Sequence, residues 1–159
     1  MNNRRESCSS IGKLYEDKTA DFYRQRGCTV RWASDKANMF AHIDLYIDED
    51  PVDVKGYKPG GVCIEWTNVR GKPGWLRGKS NSLIFWISEE RFFRVNRKEF
   101  LYHICRDPQI GFPPFSPPEG YAKAFGPYKW FRRHGRQDTI MMLPNSYLER
   151  FTQEQLFSL

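Results

Sequence analysis

Asp44, Asp53 and Lys55, in the stretch FAHIDLYIDEDPVDVK from Phe40 to Lys55, are the residue types that metal-assisted cleavage of a phosphodiester needs. Carboxylate oxygens are the ligands hard divalent cations prefer, and such a cation polarises a phosphate and lowers the pKa of an attacking water. A lysine beside them adds a compact positive charge that can orient the nucleophile or offset charge building on the phosphate.

Those side chains act together only if the backbone aims them at one place. Period-two alternation predicts a strand in which Ala41, Ile43, Leu45 and Ile47 face the core while Phe40, His42, Asp44 and Tyr46 face away. Asp48, Glu49, Asp50 and Pro51 are turn residues, and the acids among them are expected to be solvated. The next strand places Val52 and Val54 on one face and Asp53 and Lys55 on the other. If the apolar faces share one core, both aspartates and the lysine project to the same side, within reach of a shared ion. The same alternation also describes any half-solvated hairpin. His42 shares the face of Asp44 and is expected to be structural or peripheral, since no nucleophile is paired with it.

Upstream, SIGKLYEDKTADFYRQRG from Ser10 to Gly27 predicts a helix capped by Ser9 or Ser10 and ended by Gly27 in a left-handed conformation. Gly12, Glu16, Ala20 and Tyr23 fall on one stripe, so Glu16 sits among small and aromatic residues and wants a partner, which Lys13 can supply. CTVRWA, 28–33, predicts a strand, Ser34 to Asn38 a polar loop, and VCIEWTN, 62–68, a strand continuing the sheet. Glu65 on its outer face can reach the cleft or pair with Lys55.

Lys+Arg 25 against Asp+Glu 19 gives a net charge of +6, which favours a polyanionic partner. The loop VRGKPGWLRGKSNS, 69–82, combines glycines with Arg70, Lys72, Arg77, Lys79 and Trp75, a mixture suited to approaching phosphates while stacking on a base. The alternative for Trp75 is burial in the core. A second basic stretch, KWFRRHGR, holds Lys129, Arg132, Arg133 and Arg136. No P-loop pattern is present, so Walker-type nucleotide hydrolysis is not supported. SLIFWIS and RFFRVN predict a hairpin, Asn96 caps a short helix, and the prolines of 107–120 exclude regular structure. DTIMMLP predicts a strand and the residues from Asn145 or Ser146 a helix carrying Leu148, Phe151, Leu156 and Phe157.

The 159 residues form one expected domain, with a core at about 10–105 and the proline loop, basic stretch, strand and helix in 107–159. Hydrophobic residues at 40% include no run long enough to span a bilayer, and MNNRRESCSS has no apolar signal region, so a cytoplasmic location is expected. Cys8, Cys28, Cys63 and Cys105 lack zinc-ligand spacing and are expected to be reduced.

The order of a helix with Glu16, a strand, a strand with Asp44, and a strand with DVK at 53–55 resembles the PD-(D/E)XK nuclease superfamily. GKLYE and RGCTVRW are similar to its small Holliday-junction-resolvase-like branch, and GWLRGKSNSLIFWI resembles a segment of small phage or bacterial members. The resemblance covers roughly residues 10–68. It departs in having HID without a proline before Asp44, in an aspartate where glutamate is commoner at the second acid, and in lacking an identifiable later glutamine. It implies a restriction-endonuclease-like α/β core with a mixed sheet flanked by helices. It also implies Mg²⁺ (or Mn²⁺) held by Asp44, Asp53 and the Val54 carbonyl, with Glu16 completing the site or recruiting a second ion and Lys55 beside the attacking water. The function then expected is a metal-dependent endonuclease on branched or non-specific duplex DNA, structure-selective or weakly sequence-specific, in a bacterial or phage-infected cell. A homodimer is compatible, as resolvase-like relatives work in pairs. The alternatives are a catalytically silent nucleic-acid- or protein-binding module on the same fold and an RNA-processing nuclease.

Overall fold

The computed structural model describes residues 3–120, 126–151 and 156–158. It is an α/β protein in layers, built around a six-stranded mixed sheet. Helix α1 (Asn3–Gln25) precedes β1 (Val30–Trp32), α2 (Asp35–Ala41), β2 (Leu45–Ile47), β3 (Asp50–Lys55) and β4 (Val62–Thr67). A 3₁₀ turn (Trp75–Arg77) leads to β5 (Ser82–Trp86), β6 (Arg91–Asn96) and α3 (Arg97–Arg106). After the proline-rich loop come β7 (Thr139–Leu143), α4 (Asn145–Leu148), a 3₁₀ turn (Glu149–Phe151) and β8 (Leu156–Ser158). The large sheet runs β1-β2-β3-β5-β6-β8, and only the β3–β5 pair is parallel.

One face of this sheet is covered by α1. Tyr15, Ala20, Phe22 and Tyr23 of the helix pack on Leu45, Ile47, Val52, Val54, Ile84 and Trp86. The Trp86 indole N–H donates to Thr19 Oγ1 at 3.0 Å, so the helix is fastened as well as packed. The other face carries Leu83, Phe85, Phe93 and Val95, closed over by Phe100 and Ile104 of α3, by the Trp75–Leu76 turn, and by β4 with β7. With both faces covered, residues of the outward set of β3 are enclosed rather than solvated, which corrects the expectation of a half-solvated hairpin. No described helix is long and apolar enough to cross a membrane.

Helix α1 ends as predicted, with Gly27 at φ +82°. The β5–β6 hairpin and the Asn96 cap, which accepts from Lys98 N at 2.9 Å, also agree with expectation. Five expectations are corrected. Helix α1 begins at Asn3, so neither Ser9 nor Ser10 caps it. Phe40 and Ala41 belong to α2 rather than to a strand, and the loop at Ser34–Asn38 is the start of that helix. Ser34 Oγ accepts from Ala37 N at 3.2 Å, and His42 at φ 53° closes the other end. β4 does not continue the large sheet but pairs antiparallel with β7 in a two-stranded sheet of its own. The C-terminal helix stops at Leu148, and Leu156 and Phe157 lie in β8, paired with Phe93 and Phe92. Finally, Asp50 is no turn acid: its Oδ2 takes Arg94 at 2.6 Å and Ser82 Oγ at 2.5 Å, while the tight turn itself is Asp48–Glu49, both at positive φ.

Candidate active site

The β2–β3 hairpin brings the two aspartates together. Asp44 N donates to Val52 O at 2.8 Å, extending the ladder by a residue before β2, and Asp44 Oδ2 accepts from Val54 N at 2.7 Å. This cross-strand bond ties the first carboxylate to the strand carrying the second. Asp44 Oδ1 accepts from Asn38 Nδ2 at 2.5 Å, so α2 positions the carboxylate from its other side. Asn38 escaped the sequence reading, because Ser34–Asn38 looked like a loop; the Ser34 cap was the available signal.

Asp53 is 1% exposed in the middle of the sheet. Its Oδ1 meets the Lys55 ammonium at 2.6 Å, while its Oδ2 is buried with no hydrogen-bond donor among the described residues. Burial, and after it the charge of Asp44, raise the Asp53 pKa from 3.8 to about 8 against the lowering effect of Lys55. Lys55 thus offsets only part of the cost of burying this acid. Lys55 also lies over the Trp75 ring at 4.7 Å, a contact that fixes its stem.

Glu16 comes in from α1. It is half-buried, and burial and then Asp44 raise its pKa, with Lys13 and Lys55 opposing. The predicted Lys13 contact exists at 3.9 Å, although Lys13 is closer to Asp17 at 3.1 Å. Glu16, Asp44, Asp53 and Lys55 are therefore electrostatically coupled from two faces of the sheet. His42 stands apart from them, with Nε2 3.4 Å from Pro73 O.

The donor set suits a hard cation. The orphaned Asp53 Oδ2 and the Asp44 carboxylate present carboxyl oxygen, and the Val54 carbonyl follows Asp53 directly in sequence. No group of three or more His, Cys, Asp or Glu is gathered at ligand spacing among the described residues. Mg²⁺ needs no such group, since one or two carboxylates together with water and substrate phosphate complete its shell.

The basic residues divide into two sets. Arg70, Lys72, Lys79, Lys129 and Arg136 are exposed. Arg77 donates Nε to Trp66 O at 2.8 Å and stacks on the Trp66 ring, Arg132 pairs with Glu119 at 2.9 Å, and Arg133 grips the buried Asp138 at 2.5 Å. These three are anchored in the fold as well as charged. Trp75 is corrected as a base-stacking residue: at 6% exposure, with its indole N–H donating to Cys63 O at 3.2 Å, it belongs to the core. The loop is nevertheless joined to the acid pair's neighbourhood, because Lys79 N donates to Ala41 O at 2.8 Å at the end of α2. Cys28, Cys63 and Cys105 are free thiols.

No family model, no curated protein and no solved structure matches this chain.

Proposed function

We propose that this protein is a metal-dependent endonuclease that hydrolyses DNA phosphodiester bonds, built on a restriction-endonuclease-like core of the PD-(D/E)XK type. The observation that carries the proposal is the buried Asp53 carboxylate, unsatisfied at Oδ2, between Asp44 and Lys55. Structural acids in a core are matched by donors, and an acid kept short of them within a central strand is the pattern of a functional group.

Asp44 and Asp53 would hold Mg²⁺ or Mn²⁺, with the Val54 carbonyl, and Glu16 on the approach from α1. When bound there, the ion supplies Lewis acidity to the scissile phosphate and lowers the pKa of its water. Lys55 holds the nucleophile or offsets negative charge on the phosphate, its ammonium aimed by Asp53 and its stem by Trp75. Glu16, with its raised pKa, is suited to accept a proton from the attacking water. Asn38 fixes the Asp44 rotamer. Arg70, Lys72, Lys79, Lys129 and Arg136 hold the strand by its phosphates, contacts that position without reading sequence, which favours structure-selective or weakly specific cleavage.

The test is cleavage of duplex, branched and single-stranded DNA by the purified protein with Mg²⁺, beside Asp53→Ala. Metal-dependent cleavage lost in the variant supports the proposal; equal cleavage by both proteins overturns it. Binding without cleavage by either identifies a silent module on this fold, and preference for RNA in paired substrates identifies an RNA nuclease.

A further inference from the structure

We propose that the cavity beyond Lys55 is a nucleotide pocket that holds one nucleotide of the bound strand, gripping its phosphate with Lys58 and Arg133 and the amino edge of its base with Glu65. The inference rests on the phosphodiesterase reading above and names the part of the substrate that the protein itself recognises.

The cavity has a volume of about 340 Å³ and lies between α1, the end of β3 and the edge of β4. That volume is at the lower end of small-ligand sites, about 300–1,000 Å³. Lys55 lines it and also contacts Asp53, so the cavity begins where the acid pair ends. Its other charged lining groups are Lys58, Arg133 and Glu65. Neither the Lys58 ammonium nor the Glu65 carboxylate has a hydrogen-bond or ion-pair partner among the described residues, although both face the same small volume. Arg133 spends one edge of its guanidinium on Asp138, which orients the remainder. Trp75 contributes an apolar wall.

Three cations and one acid suit a ligand that is anionic at one end and carries a hydrogen-bond donor at the other. A nucleotide has that form. A carboxylate accepts from an exocyclic amine such as cytosine N4 and finds no such donor on thymine, whose corresponding group is the O4 acceptor. The pocket therefore prefers bases that carry an amino group.

The test is a calorimetric titration of metal-free protein with the four deoxynucleoside 5′-monophosphates and with inorganic phosphate, with cleavage assayed on the same preparations. Expected is binding of dCMP at least about fivefold tighter than dTMP, a difference the Glu65→Gln variant abolishes, since an amide both donates and accepts. Lys58→Ala weakens all four nucleotides about equally; its side chain makes no contact that the fold requires. Equal affinity for the four nucleotides, inorganic phosphate binding as tightly as they do, or unchanged binding in Lys58→Ala overturns the pocket. Cleavage without monophosphate binding also overturns the pocket and leaves the nuclease reading intact. Selective binding without cleavage retains the pocket and overturns the nuclease reading.

Discussion

Asp44 Oδ2 accepts the backbone N–H of Val54 at 2.7 Å, so the first carboxylate is pinned to the strand that presents the second. On the proposed reading the acid at position 44 has a second task at the metal, and two substitutions separate the two. Asp44→Asn retains an acceptor for Val54 and should leave the melting temperature nearly unchanged while lowering cleavage by more than about 100-fold, beyond the usual cost of changing an outer-shell partner. Asp44→Ala should lose as much activity and also about 1–3 kcal/mol of stability, because the Val54 N–H is left unmatched. Denaturant titration and cleavage rates measured together would separate these effects; equal stability of the two variants would count against the structural task.

Asp53 makes the metal-free protein sensitive to pH in an uncommon direction. Its folded pKa, about 8, lies above the ordinary 3.8, so the folded state favours the protonated acid. The contribution of this group to stability is therefore greatest below pH 3.8 and declines as pH rises toward 8. Asp53→Asn removes the decline: in EDTA, the variant and parent should melt together near pH 4, and the variant should melt higher at pH 8. A gap that does not change with pH would refute the assignment. Mg²⁺ should raise the melting temperature of the parent at pH 8 and not that of the variant.

Lys55 touches Asp53 and Trp75 and has one ammonium to serve both the site and the cavity. Lys55→Met keeps the stem and removes the charge. Cleavage should fall by about 100-fold or more, the usual loss when one stabilising donor is removed, with DNA affinity within about threefold, since only one of many phosphate contacts is lost. A variant that binds weakly but cleaves bound DNA normally would move Lys55 from chemistry to binding.

The basic residues should separate according to their partners. Lys72→Ala and Lys79→Ala should each weaken DNA binding regardless of sequence and reduce the salt slope by about one. Arg133→Ala should instead lose about 1–3 kcal/mol of stability, because the buried Asp138 keeps the backbone N–H of residue 133 but loses its charged partner. Salt-dependent binding isotherms and denaturant melts on the same variants decide the point; a stable Arg133→Ala would show that the pair is dispensable.

Trp75→Ala should behave as a core deletion, costing about 3–5 kcal/mol. Its effect on cleavage should follow the lost support of Lys55 rather than lost stacking. If the variant folds as well as the parent and fails only in binding DNA, the aromatic ring acts on the substrate after all.

Much of this architecture was legible where local physics decides. Gly27 had to end α1, Asn96 had to cap α3, and the alternation of Ile43, Leu45, Ile47, Val52 and Val54 had to bury one face of a hairpin. The same alternation placed Asp44, Asp53 and Lys55 on the opposite side, and Glu16 of α1 feels the charge of Asp44. What escaped had a non-local cause. Phe40 and Ala41 fit a strand pattern as well as a helix, and the Ser34 cap tipped the balance. β4 had the composition of a sheet strand but took β7 as its partner, a choice that depends on a segment more than seventy residues later in the chain.

The sequence by itself determined which side chains could do chemistry and on which face of a hairpin they fall, because side-chain period and turn chemistry are properties of neighbouring residues. Only the tertiary structure decided how strongly each is perturbed. Asp53 has a raised pKa because the Trp75 turn, α3 and the β4–β7 pair close over its face, and desolvation depends on what covers a group rather than on what precedes it. The same enclosure withdrew Trp75 into the core, tied Arg132 and Arg133 to acids, and left the unpaired Lys58 and Glu65 facing one cavity beside Lys55.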